Sequence, residues 1–196
     1  MVISGQLHCI FVHVQKTGGS SIEAALRRYD TNIPEKPFNA RRHLGARDIR
    51  QLVPADAWSA SLKFAFVRNP WDRLVSWYYM CVQAPMPNAF GRYVKEHAKS
   101  FDDFVMRPHG MMERTTVPQM DYIADTDGRV IVDFVGRYET LHADFAEVGR
   151  KLGIDGGLPH ANRSAHRPYR QYYDDRTRAL VAERFARDIE VFGYTF

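Results

Sequence analysis

Apolar positions along the chain gather into short runs of strand length, separated by segments in which they recur at helical spacing. Leu7 to Val14 is an apolar, β-branched-rich run followed closely by Gly18 and Gly19, the pattern of a buried strand entering a turn. Beyond the turn Ile22, Ala25, Leu26 and Tyr29 fall at helical spacing, and Ser20-x-x-Glu23 has the form of a capping box marking a helix start. Leu62 to Val67 reads as a second strand. It stops at Arg68-Asn69-Pro70, where Asn69 can cap and Pro70 can take the first helical position. The helix that follows has Trp71, Leu74, Val75, Tyr78 and Val82 as its apolar face, with Ser76 on a different one. A third strand is expected from Arg129 to Val135 after an Asp127-Gly128 turn, then a helix burying Leu141, Phe145, Val148 and Leu152. A last helix, beginning near Asp174, buries Val181, Phe185, Ile189 and Phe192.

Three strands, each followed by a helix, predict an α/β fold: one domain over 1–196 with a central parallel sheet flanked by helices. The stretch from Pro85 to Gly128 is the least regular, with prolines at 85, 87 and 108, a short apolar helix at Phe101 to Met106 and a loop through Met111 and Met112. Its methionines and aromatics suit packing, and such an insertion could equally wall a substrate site.

With 196 residues, 45% of them hydrophobic, the chain can bury a full core. Lysine and arginine number 27 against 23 acids, a net charge of +4 that favours an anionic ligand without announcing a nucleic-acid binder. Cys9 and Cys81 form no C-x-x-C and no spaced ligand set, so neither zinc nor a disulfide framework is expected. The run at Leu7 to Val14 lacks a basic leader and is far too short to span a bilayer, so a soluble cytoplasmic protein is expected.

The candidate chemistry begins at Gln15-Lys16-Thr17-Gly18-Gly19-Ser20-Ser21. A helix start offers unpaired backbone N–H groups and the positive end of a dipole, glycines allow close approach, and Lys16 adds a full charge: together a phosphate-type site. In the nucleotide-kinase loop lysine follows the glycines and a hydroxyl holds magnesium, whereas here Lys16 precedes them. Arg68, at the end of the second strand, can grip a phosphate through two parallel hydrogen bonds, and the Ser76 hydroxyl can add a third. His43, within Arg41-Arg42-His43-Leu44-Gly45, is the side-chain type best placed to take a proton near neutral pH. Lys16, Arg68 and Tyr138 all fall at carboxyl ends of predicted strands, where ligands of open α/β sheets bind. From Leu158 to Tyr173 the chain is basic and irregular, with His160, Asn162, Arg163, Ser164, His166, Arg167 and Arg170 and no acid until Asp174, which suits closure over an anion.

Taken together these segments resemble the sulfotransferases that use 3′-phosphoadenosine 5′-phosphosulfate (PAPS), closest to the carbohydrate branch that includes the heparan sulfate 2-O-sulfotransferases. Gln15 to Ser21 is similar to their 5′-phosphosulfate loop. Phe66-Val-Arg-Asn-Pro-Trp-Asp-Arg-Leu-Val-Ser76 is similar to their 3′-phosphate motif, with arginine and serine 8 positions apart. Tyr138-Glu139-Thr140-Leu141 resembles the segment whose tyrosine lies by the adenine, and Asn162-Arg163-Ser164-Ala165-His166 looks like the late loop that covers the donor. The resemblance implies a P-loop-NTPase-like sulfotransferase fold and PAPS as donor. It further implies Lys16 and His43 as catalytic groups, with Thr17, Gly18, Gly19, Ser20, Ser21, Arg68, Ser76, Tyr138, Arg163 and Ser164 holding the donor. No metal is required, and the acceptor is a hydroxyl, a carbohydrate being one candidate. Two rivals stay open: a non-catalytic adenosine-phosphate binding module, and a P-loop-like small-molecule kinase.

Overall fold

The computed structural model describes residues 1–33, 40–84, 88–159 and 166–196. In chain order the elements are β1 (Val2–Ser4), β2 (Cys9–Val12), α1 (Gly19–Leu26), α2 (Ala46–Leu52), α3 (Ala55–Ala60), β3 (Leu62–Val67), α4 (Pro70–Gln83) and α5 (Ala89–His97). After them come α6 (Phe101–Met106), α7 (Met120–Ile123), β4 (Phe134–Arg137), α8 (Leu141–Leu152), α9 (Asp175–Arg184) and α10 (Ala186–Phe192). The architecture is α/β, with a four-stranded sheet in the order β1-β2-β3-β4. β2, β3 and β4 are parallel, and β1 adds an antiparallel edge. β2 and β3 are interior strands buried on both faces, which requires continuous apolar runs: Cys9, Ile10, Phe11, Val12, Phe64, Ala65, Phe66 and Val67 are all solvent-excluded. Among the described residues no helix is long and apolar enough to cross a membrane.

The chain divides into two compact units. The first, Met1–Arg68 with Gln119–Asn162, holds the sheet. Its core joins Phe11, Phe64 and Phe66 of the sheet to Ile22, Ala25 and Leu26 of α1 and to Phe145 and Val148 of α8. The second unit, Asn69–Pro118 with Arg163–Phe196, is helical, and its core runs from Trp71, Leu74 and Trp77 through Phe90, Phe101 and Phe104 to Val181 and Phe185.

Several sequence expectations change in position. The first strand is confined to Cys9–Val12, inside the predicted run from Leu7 to Val14. The third lies at Phe134–Arg137 rather than over 129–135, because Val130 instead bridges back to Ala124 and the parallel register with β3 begins at Phe134. The expected capping box at Ser20 and Glu23 does not form. Gly18, in the left-handed region at φ 83°, starts the helix two residues earlier, so Ser21 takes the third helical position and Glu23 lies too far in to reach back. The irregular stretch after Pro85 proves largely helical, and Asn88 caps α5 through the Gly91 N–H. The final helix is two helices, α9 and α10, meeting at Phe185.

As the sequence indicated, Asn69 caps α4 by accepting from the Trp71 and Asp72 N–H groups, with Pro70 leading the helix. The buried surface of α4 is wider than one stripe, since Arg73, Ser76 and Trp77 are buried beside Trp71, Leu74 and Val75.

Candidate active site

The carboxyl ends of the three parallel strands carry the candidate residues of the sheet unit. Beyond β2 the chain turns through Gln15 and Lys16 into α1, and Lys16 itself adopts the left-handed conformation at φ 71°, uncommon for a residue with a side chain. The lysine is half-buried. Thr17 is fully buried, and its hydroxyl donates to the Val14 carbonyl at 2.8 Å, which fixes the turn and leaves Thr17 only its backbone N–H to offer an anion. Helix geometry leaves the N–H groups of Gly19 and Ser20 without an intrahelical acceptor, whereas that of Ser21 already donates to Gly18 O at 3.0 Å. Gly19 is dictated by contact: a Cβ there would collide with the imidazole of His13.

Arg68, immediately beyond β3, is 4% exposed. Its guanidinium lies 3.9 Å over the ring of Tyr138, immediately beyond β4, and donates to the Lys16 carbonyl at 3.2 Å. Gln119 holds the Arg68 backbone from both sides, accepting from its N–H and donating to its carbonyl, each at 2.8 Å. The three strand ends are thereby tied together: the Lys16 loop to Arg68, and Arg68 to Tyr138. A guanidinium set between an aromatic face and a carbonyl is held in orientation, which favours directed binding of an anion over a freely waving charge.

Around the first turns of α1 lies a polar cluster that sequence reasoning did not find. Glu23 is fully buried, and its carboxylate takes hydrogen bonds from His13 Nδ1 at 2.7 Å and from Arg42 Nη2 at 2.7 Å. Arg42 also reaches the Ser20 hydroxyl at 3.2 Å. Burial by itself would raise the Glu23 carboxyl, but the His13 hydrogen bond and charge and the Arg42 guanidinium together hold it down at about 2. The carboxylate is therefore ionised, and since it can only accept, His13 must donate Nδ1–H. Burial pushes the His13 imidazole below its ordinary value. His43 stands edge-on to His13, ring centres 4.6 Å apart, with its Nδ1 3.0 Å from the His13 carbonyl. Burial first, then the neighbouring His13, depresses His43 to about 3. The ring is neutral at physiological pH.

Of the remaining sequence-derived residues, Ser76 is 3% exposed on α4 of the helical unit. Arg163 and Ser164 lie outside the described residues, as do His160 and Asn162. His13, Glu23, Arg42 and Gln119 were missed. The available signal was His13, three residues before Lys16 and directly after the apolar run Cys9–Val12, where a polar residue that is to be buried must find a partner.

The parallel sheet with a helix-start loop and an oriented arginine at its carboxyl edge makes an α/β protein suited to an anionic ligand. The model of the Sulfotransferase family matches residues 1–195, and the chain belongs to that family. It is also 33% identical over 125 residues to an uncharacterized protein of Archaeoglobus fulgidus, a match covering 63% of this chain and 94% of the relative. No solved structure matches.

Proposed function

We propose that the chain transfers a sulfuryl group from PAPS to an acceptor hydroxyl, with Lys16 stabilising the leaving phosphate and His43 taking the acceptor's proton. The observation that carries this reading is the link from the Lys16 loop to Arg68 and from Arg68 to Tyr138 at the ends of three parallel strands. The donor set fits an anionic nucleotide: a half-buried ammonium, the open N–H groups of a helix start, an exposed Ser20 hydroxyl and an oriented guanidinium. When bound, PAPS supplies the sulfuryl group, whose sulfur passes to the acceptor oxygen as its bond to the bridging phosphate oxygen breaks.

Each residue then has a task. Lys16 and the N–H groups of Thr17, Gly18, Gly19 and Ser20 hold the 5′ end, while buried Ser21 keeps the helix start in shape. Lys16 meets the negative charge that grows on the leaving oxygen. His43, neutral and with Nδ1 committed to the His13 carbonyl, has Nε2 as its acceptor of the hydroxyl proton. Negative charge bound at the loop raises its low basicity toward the useful range. The assignment of the 3′-phosphate to Arg68 and Ser76 rests on their spacing of 8 positions, and that of adenine to Tyr138 and of loop closure to Arg163 and Ser164 on the same resemblance. That resemblance favours the carbohydrate branch typified by the heparan sulfate 2-O-sulfotransferases, hence a carbohydrate hydroxyl as acceptor. The scheme needs no metal, a single domain spanning 1–196, and a cytoplasmic setting in which PAPS is available.

The test is turnover of labelled PAPS against a panel of sugar and small-alcohol acceptors, wild type beside Lys16→Ala. Loss of one preorganised contact to developing charge costs about 2.7–4 kcal/mol, so the variant should turn over roughly a hundred- to a thousandfold more slowly at saturating donor. Near-normal turnover by the variant removes Lys16 from this role. Tight donor binding with no transfer to any acceptor makes the chain a binding module instead.

A further inference from the structure

Glu23 occupies an unusual place. It is a fully buried carboxylate on the helix that follows the donor loop, and it joins several segments. Oε1 takes the ring of His13, whose carbonyl is the partner of His43 Nδ1, with Arg42 Nε 3.5 Å and the Met1 N-terminus 3.7 Å away; Oε2 takes Nη2 of Arg42, the residue next to His43 in the chain, with Arg27 3.7 Å away. Both supports of His43 therefore pass through one carboxylate. The ring of His13 is pressed in addition against Gly19, the first residue of α1, so the same cluster also touches the start of the donor loop. A carbonyl oxygen can only accept, so His43 must carry its proton on Nδ1 and leave Nε2 bare. Neutral imidazole in water populates both tautomers, and only one of them presents an acceptor at Nε2.

We propose that Glu23 is a positioning residue: through His13 and Arg42 it fixes His43 as the Nδ1–H tautomer, making Nε2 the atom that receives the acceptor's proton. The inference rests on the reading of His43 as base. It differs from a purely structural role, since an acid buried only for stability would affect folding and leave tautomer and turnover per folded molecule untouched.

The experiment uses the 15N-labelled full chain. Histidine ring nitrogens are observed at neutral pH in wild type, in Glu23→Gln and in Arg42→Gln, with the His43 signals assigned from His43→Ala. Turnover of PAPS and calorimetric affinity for 3′-phosphoadenosine 5′-phosphate are measured on the same samples. Wild type should show a single Nδ1–H tautomer at His43. Glu23→Gln should show a mixture and lose about ten- to a hundredfold in kcat, the loss seen when a partner that orients a metal-ligating histidine is removed, with nucleotide affinity nearly unchanged. Arg42→Gln removes one of the two arms from a partly exposed side chain, so it should shift both readouts less, and it carries the test alone should Glu23→Gln not fold. The proposal is overturned by a wild-type His43 protonated on Nε2. It is equally overturned if the variants keep one Nδ1–H tautomer and full turnover, or lose nucleotide affinity in step with turnover. Failure of the underlying reading looks different: His43→Ala then keeps wild-type turnover, whatever the ring nitrogens report.

Discussion

The sheet unit and the helical unit both bury polar side chains, but they use them differently. In the helical unit many polar tips serve the backbone: Arg73 donates to the Val117 carbonyl, Arg184 to that of Val105, the Trp71 indole to that of Arg178 and the Tyr173 hydroxyl to that of Trp71, while its side-chain pairs, Thr177 with Asp174 and Asn69 with Tyr169, cap a helix start or join neutral groups. These bonds fasten loops and helix ends to an aromatic core, where groups that would otherwise be orphaned find partners. In the sheet unit polar side chains meet one another as well. His13, Glu23 and Arg42 form one cluster, and Arg68 meets Tyr138. Charge held by charge at the carboxyl edge of a parallel sheet is costly to build, and such clusters concentrate at sites that bind or move something.

If that contrast is right, substitutions in the two units should separate into losses of rate and losses of stability. The largest effect is expected at His43. His43→Ala should lower kcat by about a hundred- to ten-thousandfold, the span of general-base contributions, while leaving the thermal midpoint and nucleotide affinity close to wild type. The pH profile sharpens the point. A base must be unprotonated, and burial sets His43 at about 3 in the free protein, so kcat/KM should show no histidine limb between pH 5 and 8. A limb near the ordinary histidine value would mean that another imidazole is the base. The histidines of the tail, His160 and His166, would be examined next.

Phe104→Ala is the counterpart in the helical unit. The ring is fully buried between Tyr78 and Phe101, with ring centres 5.6 and 6.5 Å away. Truncating a buried phenylalanine costs about 3–5 kcal/mol in unfolding free energy. Denaturant unfolding should report that loss, whereas affinity for 3′-phosphoadenosine 5′-phosphate per folded molecule should stay near wild type. Equal damage to stability and affinity would break the division of labour between the units.

The contrast also explains what could be read from the residues alone. Core positions and helix caps follow local rules, so Ile22, Ala25 and Leu26 were legible as a buried face, Asn69-Pro70 as a helix start and Phe101–Met106 as a short helix. Lys16, Arg68 and Tyr138 were legible as strand-end residues because period and turn signals locate strand ends. The strand at Val2–Ser4 was not, since three residues are too few to show alternation. The helix at Ala89–His97 hid behind nearby prolines, although Phe90 and Val94 share a face. The cluster at Glu23 was hidden for a stronger reason. Its members are 10 and 19 residues apart in sequence, so their meeting depends on how the loop turns. A local rule even pointed the wrong way, because Ser20-x-x-Glu23 satisfies the capping pattern while Gly18 begins the helix early and turns Glu23 inward.

The smallest expected effect is at Arg68, and it tests what the sheet edge recognises rather than how it reacts. The guanidinium is held by Tyr138 and the Lys16 carbonyl, and under the proposed reading it binds the 3′-phosphate. Wild type should then bind 3′-phosphoadenosine 5′-phosphate more tightly than adenosine 5′-phosphate, which lacks that group. A hydrogen bond to a charged group is worth roughly 1.5–3 kcal/mol, so Arg68→Ala should erase about tenfold to more than a hundredfold of the preference. Arg68→Lys should recover only part of it, since an ammonium keeps the charge but loses the planar pair of donors and the stacking on Tyr138. Ser76→Ala should act in the same direction and less, because it removes a hydroxyl and no charge. Calorimetric titration of both nucleotides, with and without magnesium, reads all of these. Equal wild-type affinity for the two nucleotides would remove the 3′-phosphate assignment, and a magnesium-dependent preference for ATP would return the kinase to consideration. If Arg68→Ala weakened both nucleotides alike, the arginine would be shaping the Lys16 loop through its carbonyl instead of reading the ligand, and the sheet edge would owe its selectivity to another residue.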